Sequence, residues 1–257
     1  MERRFHCTAC GKCCSGLLPL TLADAFAHAG RFPLAMVWTP LRQQSKAFDL
    51  VRRIGAVVNL SGRKRIAVII VPTAYIPDSF FCPALNADGR CAIHAEKPLR
   101  CRTMPFYPYR EERDQADLLT PRKGWDCDTS AVAPVVYRER KIVAREDFDL
   151  ERRELLAQAP LIRAYAEYMM KYMPQLADKL ATAAEHGAGG NVVTSLSSYL
   201  TATRQLDIPG FAARQLSVLK NFAARTAGRP DLAEFHRNYA GWAKEMEYLA
   251  KRKSASA

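Results

Sequence analysis

The chain has 257 residues, enough for one large domain or two small ones with cores of their own, and its 49% apolar content excludes a disordered protein. The formal charge of +12 lies mostly in residues 1–146, with 23 Lys and Arg against 14 Asp and Glu. No aromatic-basic recognition motif accompanies that charge, which argues against nucleic acid as a partner, and the longest clean apolar run, Ile66 to Val71, is too short to cross a bilayer.

The N-terminal residues Met1-Glu2-Arg3-Arg4-Phe5 lack the apolar stretch of a secretory signal. The expected setting is therefore a reducing cytoplasm, where clustered cysteines bind metal or do redox work rather than form lasting disulfides. Four of the eight cysteines then fall together: Cys7, Cys10, Cys13 and Cys14. Ser15-Gly16 breaks the chain, and Thr21 reads as a helix cap with Asp24 three residues on, opening a helix to about Ala29. A second helix is expected from Pro40 or Leu41 to Ile54. Arg63 to Val71 reads as a strand buried on both faces, since both alternate sets from Ile66 on are apolar, and Pro72 and Pro77 bracket the turn after it.

From Phe80 to Tyr109 the sequence is rich in loops and prolines, and Asp88-Gly89 signals a tight turn with Cys82 and Cys91 on either side. Such a stretch lacks a core, and a metal is the usual substitute. Cys101 follows, then Cys127 beside Trp125, and Pro134 to Ala144 reads as a further strand. From Phe148 cysteine disappears and helical periodicity takes over, with helices expected at 148–158, 161–186, 192–206, 209–227 and 230–252 and a kink or split at Pro174. His186-Gly187-Ala188-Gly189-Gly190-Asn191 reads as a flexible linker rather than a phosphate loop, because a helix and not a strand precedes it. The residues after Lys251 read as a frayed tail. The expected class is α+β: a small, loop-rich, metal-binding cysteine-cluster domain at 1–146, with an insertion around 30–78, followed by an all-α helical domain at 147–257.

The chemistry lies in the thiols. Cys-x-x-Cys spacing lets two sulfurs converge on one ion, and Gly11 permits the tight turn between them. A bacterial ferredoxin run places its fourth cysteine three residues further on, whereas Cys14 follows Cys13 directly. Adjacent side chains point apart, so Cys13 and Cys14 are not equivalent on one small ion. The candidate ligands are Cys7, Cys10, Cys13, Cys14, Cys82, Cys91, Cys101 and Cys127, as two four-thiolate sites or as one site with spare thiols. Spacing does not separate an iron–sulfur cluster from Zn²⁺. Four thiolates around Zn²⁺ leave a net −2, so part of the cationic excess offsets the site.

The pattern Phe5-x-Cys7-x-x-Cys10-Gly11-x-Cys13-Cys14, with Cys82, the segment Gly89-Arg90-Cys91-x-Ile93-His94, and Lys97-Pro98-x-x-Cys101-Arg102-x-x-Pro105, resembles the YkgJ-like CxxCxxCC cysteine-cluster family, described as a zinc- or iron-chelating domain. The family usually has tyrosine at His94 and arginine at Lys97, and places its last cysteine beside Pro-Gly rather than beside Trp125 and Asp128. The resemblance covers roughly residues 3–128, across a long insertion between Cys14 and Cys82, and implies metal binding. Flagellin lysine methylases look like distant relatives with an iron–sulfur cluster, but their cysteine spacing differs and no catalytic residue carries over.

Around the thiols, His94 is expected to hydrogen-bond a sulfur rather than ligate, and His6 to be exposed. Arg100 and Arg102 are expected to neutralise thiolate charge, and Tyr107 and Tyr109 to pack over the site. Two functional readings follow. One is a metalloprotein with redox or group-transfer activity at an iron–sulfur cluster. The other is a zinc-stabilised protein-interaction module without catalysis. A protein partner or substrate is left open.

Overall fold

The computed structural model describes residues 2–41, 45–60, 65–185, 190–203 and 207–251. It mixes helices with two antiparallel sheets, as the α+β expectation has it. Residues 186–189 of the linker expected at 186–191, the tail after Lys251 and the start of the predicted strand at Arg63 and Lys64 lie outside the described residues.

The chain opens with β1 (Glu2–Arg4) and reaches the short β2 (Leu18–Pro19) after the cysteine cluster. Helix α1 (Leu22–Ala27) starts as expected: the Thr21 side chain accepts from the Asp24 N–H at 3.0 Å and donates to its carboxylate at 2.8 Å. The next element corrects the sequence reading. Leu34–Pro40 is a strand, β3, and helix α2 is only Phe48–Ile54. Every residue of β3 but Thr39 is buried, so both faces are apolar and the alternation that announces a half-exposed strand is absent.

After β4 (Ala56–Asn59) comes β5 (Arg65–Ala74), central and buried on both faces as read. It runs through Pro72, which was expected to begin a turn; the Pro72 carbonyl accepts from the Leu20 N–H at 2.8 Å. The larger sheet has the order β2-β5-β3-β8, with β4 also paired to β5. Between Phe80 and Tyr109 the only α-helix is the five-residue α3 (Leu99–Thr103). The region expected as one strand at 134–144 is a hairpin, β6 (Val135–Arg138) and β7 (Lys141–Ile142), turning at Glu139 and Arg140 with φ of 50° and 65°. With β1 it forms the smaller sheet.

Helix α4 (Glu146–Tyr172) passes straight through Pro160, where a break was expected. Leu155, Ala159, Ile162, Tyr165, Ala166 and Met169 keep one buried helical stripe across the proline. The break comes at Pro174, as read, before α5 (Gln175–Glu185). The expected helix at 192–206 is a strand, β8 (Val192–Ser195), pairing with β3, and then α6 (Leu196–Thr203). Helices α7 (Ile208–Thr226) and α8 (Ala233–Lys251) form an antiparallel pair near the expected bounds.

The chain after residue 146 is thus not all-α, and the part before it holds most of the sheet rather than being mainly loops. The largest core cluster takes Trp38, Ile70 and Tyr75 from before that point and Tyr165, Tyr199, Phe222 and Tyr239 from after it. Buried polar ties reinforce the contact. Gln158 accepts from the Leu22 N–H at 2.8 Å, and Gln215 accepts from the Leu34 N–H at 3.0 Å while donating to the Phe32 carbonyl at 2.8 Å.

Candidate metal centre

The segment Phe5–Ser15 is held at both ends and pressed in the middle. At its start, Phe5 is buried in a small cluster with Phe106, Leu119, Tyr137, Ile142 and Phe148. His6 and Asp128 exchange both backbone hydrogen bonds, at 2.8 and 3.0 Å, as an antiparallel bridge. Thr8 then donates to the Asp126 carbonyl at 3.0 Å, and Lys12 pairs with the Asp126 carboxylate at 2.6 Å. These contacts set Cys7 and Cys10 beside Cys127.

In the middle, Gly11 has φ +70°, and a Cβ there would stand 2.5 Å from the Gly89 carbonyl oxygen and 2.7 Å from Leu85. Only glycine allows this approach. It presses the cluster onto the turn at 85–91, which closes through the Asn86 N–H to the Arg90 carbonyl at 2.8 Å and a Leu85–Cys91 bridge. At the end of the segment, the Cys82 N–H donates to the Cys14 carbonyl at 2.8 Å, and Ser15 bridges Phe81. Cys101 arrives on α3, whose first N–H, that of Leu99, donates to Asp24 on α1 at 3.2 Å.

The eight cysteines are all free thiols and fall into two groups. Charges on Cys82, Cys101 and Cys91 each act on Cys14, which defines an inner group. Charges on Cys10 and Cys7 act on Cys127, which defines an outer one. Cys13 touches both: its thiol bonds the Cys14 sulfur, and its charge reaches Cys127, Cys82 and Cys101.

Burial pushes the Cys82 thiol up, and pushes Cys101 up to about 12. Cys14 is lowered, first by the hydrogen bond from Cys13 and against burial and its thiol neighbours, while that same bond raises Cys13. In the outer group, backbone N–H groups of Lys12 and Asp126 hold Cys10 below the usual thiol range. Without a cation, then, Cys82 and Cys101 keep their protons. Among the described residues no three Cys, His, Asp or Glu side chains stand ready around one ion. The donor set nevertheless fits a soft or borderline metal. The charges of Cys82, Cys91 and Cys101 all bear on Cys14, the Ala84 N–H already donates to the Cys82 sulfur at 3.4 Å, and a dication would turn mutual repulsion into attraction.

Arg100 is buried and ion-paired to Glu151 of α4 at 3.3 Å; it also donates to the Phe106 carbonyl and lies 5.8 Å from the Tyr107 ring. Its charge still reaches Cys101 and lowers it, in line with the neutralising role expected. Arg102 is turned away and pairs with Asp147. His6 is exposed as expected; His94 is also exposed, and among the described residues no hydrogen bond joins it to a sulfur. Tyr107 and Tyr109 pack against Leu50, Ile54 and Ile69 rather than over the thiols.

The sequence reading missed Lys12, Asp126 and Glu151 as positioning residues, and took Asp24 only as part of the Thr21 cap and not as the acceptor for Leu99. Each of these contacts is with a partner brought near only by the fold, so nothing in the neighbouring sequence marked it.

Residues 6–122 match the family model CxxCxxCC, described as "Putative zinc- or iron-chelating domain". No match to the chain is found among curated proteins or among solved structures. Among the described residues no helix is long and apolar enough to cross a membrane.

Proposed function

Taking residues 6–122 as a CxxCxxCC domain, we propose that this chain carries a thiolate-held metal centre, an iron–sulfur cluster or Zn²⁺, with Cys14, Cys82, Cys91 and Cys101 as its inner ligands. One observation supports the reading: the Cys14–Cys82 backbone contact and the Gly11–Gly89 approach bring the cysteine cluster against the stretch that carries Cys82 and Cys91. In this reading Cys13 is at the edge of the inner set, and Cys7, Cys10 and Cys127 fall outside it.

The thiols exceed what one structural zinc needs, which favours a cluster, and a cluster would supply one-electron transfer when bound. This chain's residues would tune it through the Ala84 N–H on the Cys82 sulfur and through the buried Arg100 charge near Cys101. Redox or group transfer at that centre is the activity proposed, in a reducing compartment such as the cytoplasm.

A second reading, a zinc-stabilised interaction module without catalysis, is favoured by the scarcity of regular structure between Ile76 and Ala133, which a closed zinc site would hold in shape. Anaerobic purification with metal and acid-labile sulfide analysis separates the two. Brown protein containing iron and sulfide supports the first; colourless protein with stoichiometric zinc and no sulfide removes it.

A further inference from the structure

A cavity of about 630 Å³ lies beside the apolar cluster of Leu50, Ile54 and Ile69, where β5 and the approach to α2 meet the loop that follows α3. Its volume falls within the range of small-molecule sites. Leu41, Ala47, Ile69, Tyr107 and Tyr109 form its apolar surface, with the two phenol rings 5.6 Å apart. The loop is held from two sides. Gln115, fully buried, accepts from the Tyr107 N–H at 2.9 Å and donates to the Tyr107 and Arg110 carbonyls at 2.8 and 2.9 Å. From α4, Arg152 donates to the Pro108 and Arg110 carbonyls at 3.2 and 2.6 Å. A wall fixed in this way needs little further ordering to receive a ligand.

Charge at the rim discriminates between ligands. Asp117 pairs with Arg110 at 2.9 Å, Asp114 lies 3.7 Å from Arg140, and the charge of Glu111 acts on Arg152. Lys46 also lines the cavity; it is exposed, and among the described residues no carboxylate pairs with it. Among those residues the rim acids are thus matched and a cation is left over. On the buried side, the Tyr109 hydroxyl has no hydrogen-bond partner among the described residues, and a buried phenol ordinarily has one.

We propose that this cavity binds a small aromatic acid. The ring lies against Tyr107 and Tyr109, the acid group pairs with Lys46 at the rim, and a polar group at the opposite end of the ring meets the Tyr109 hydroxyl. The proposal goes beyond the metal reading and does not depend on it, since no described lining residue is a cysteine. Tyr107 nevertheless joins the two. Its ring lies 5.8 Å from the guanidinium of Arg100, which stands on α3 beside Cys101. A bound ring is therefore one side chain away from the helix that carries that cysteine.

The test titrates the full chain, as purified, with p-hydroxyphenylacetate, followed by calorimetry and by methyl NMR of the isoleucines. One saturable site is expected, with the Ile69 methyl signals moving and those of Ile208, on α7, staying in place. Phenylacetate, which lacks the hydroxyl, should bind more weakly, and tyramine, which carries a cation in place of the acid, about tenfold more weakly. Lys46→Gln, a change to an exposed side chain, should weaken p-hydroxyphenylacetate by about fivefold and leave tyramine unchanged. Tyr109→Phe removes a hydroxyl that no described residue bonds, so the fold should be untouched. It should bring p-hydroxyphenylacetate down to the affinity of phenylacetate and leave phenylacetate as in the wild type. The proposal is overturned by the absence of saturable binding, by binding that leaves Ile69 unmoved, or by tyramine binding as well as the acid. It is equally overturned by Lys46→Gln binding like the wild type, or by a Tyr109→Phe chain that still prefers the hydroxylated acid.

Discussion

Glu151 and the inner cysteines have opposite electrostatic problems. Arg100 and Glu151 are a buried pair in which burial lowers the arginine and raises the carboxyl, while each charge holds the other ionised. Glu151→Ala leaves Arg100 charged and unpaired, a change expected to cost about 3–5 kcal/mol, measurable by denaturant unfolding. A loss under about 1 kcal/mol would mean that the pair is not the tie between α3 and α4. Cys82 and Cys101 are the reverse case, held protonated by burial until a cation replaces the proton. With Cys82 and Cys101 raised above the ordinary thiol range, each ligand must release a proton on binding. Metal affinity should therefore rise with pH below the thiol range, by more than tenfold per pH unit. Competition titrations with a chelator of known affinity at pH 6 and pH 8 check this. In the metal-free chain the same shift runs the other way. Between the unfolded thiol value of 9.0 and the folded value of about 12 for Cys101, the unfolded chain has fewer protons bound, so stability falls as pH rises through that window.

At the scale of elements, the turn at 85–91 and the loop at 10–14 must touch for the inner group to exist, and Gly11 is where they touch. Gly11→Ala combines a positive φ with a Cβ 2.5 Å from the Gly89 carbonyl oxygen. It should cost at least 1 kcal/mol in thermal or denaturant unfolding and weaken metal retention along with it. An alanine variant with unchanged stability and metal content would separate the turn from the centre. Much of this level was legible in the sequence. The cap at Thr21, the doubly buried β5, the turn between Cys82 and Cys91, the split at Pro174 and the α7–α8 pair all announce themselves by local chemistry or by period. What was illegible had no local mark. β3 is apolar on both faces and so shows no alternation, β8 is four residues running straight into a helix, and α4 keeps Pro160 because a long buried stripe outweighs one lost hydrogen bond.

For the whole molecule, the cysteine segment is a surface assembly seated on a core that owes nothing to metal. The aromatic residues Trp38, Tyr75, Tyr165, Phe222 and Tyr239 tie the larger sheet to α4, α7 and α8, while the stretch from Ile76 to Ala133 has little ladder structure. That the cysteines are candidates to hold metal was readable from spacing; their division into an inner and an outer group was not, because it depends on His6 meeting Asp128 and Cys14 meeting Cys82 across the fold. The most direct test is X-ray absorption at the edge of the metal found in the anaerobically purified full chain, beside its Cys82→Ser/Cys101→Ser variant. The expected spectrum has a shell of sulfur at about 2.3 Å that loses amplitude in the variant; a shell of nitrogen and oxygen alone, or one that the variant leaves unchanged, would contradict the account.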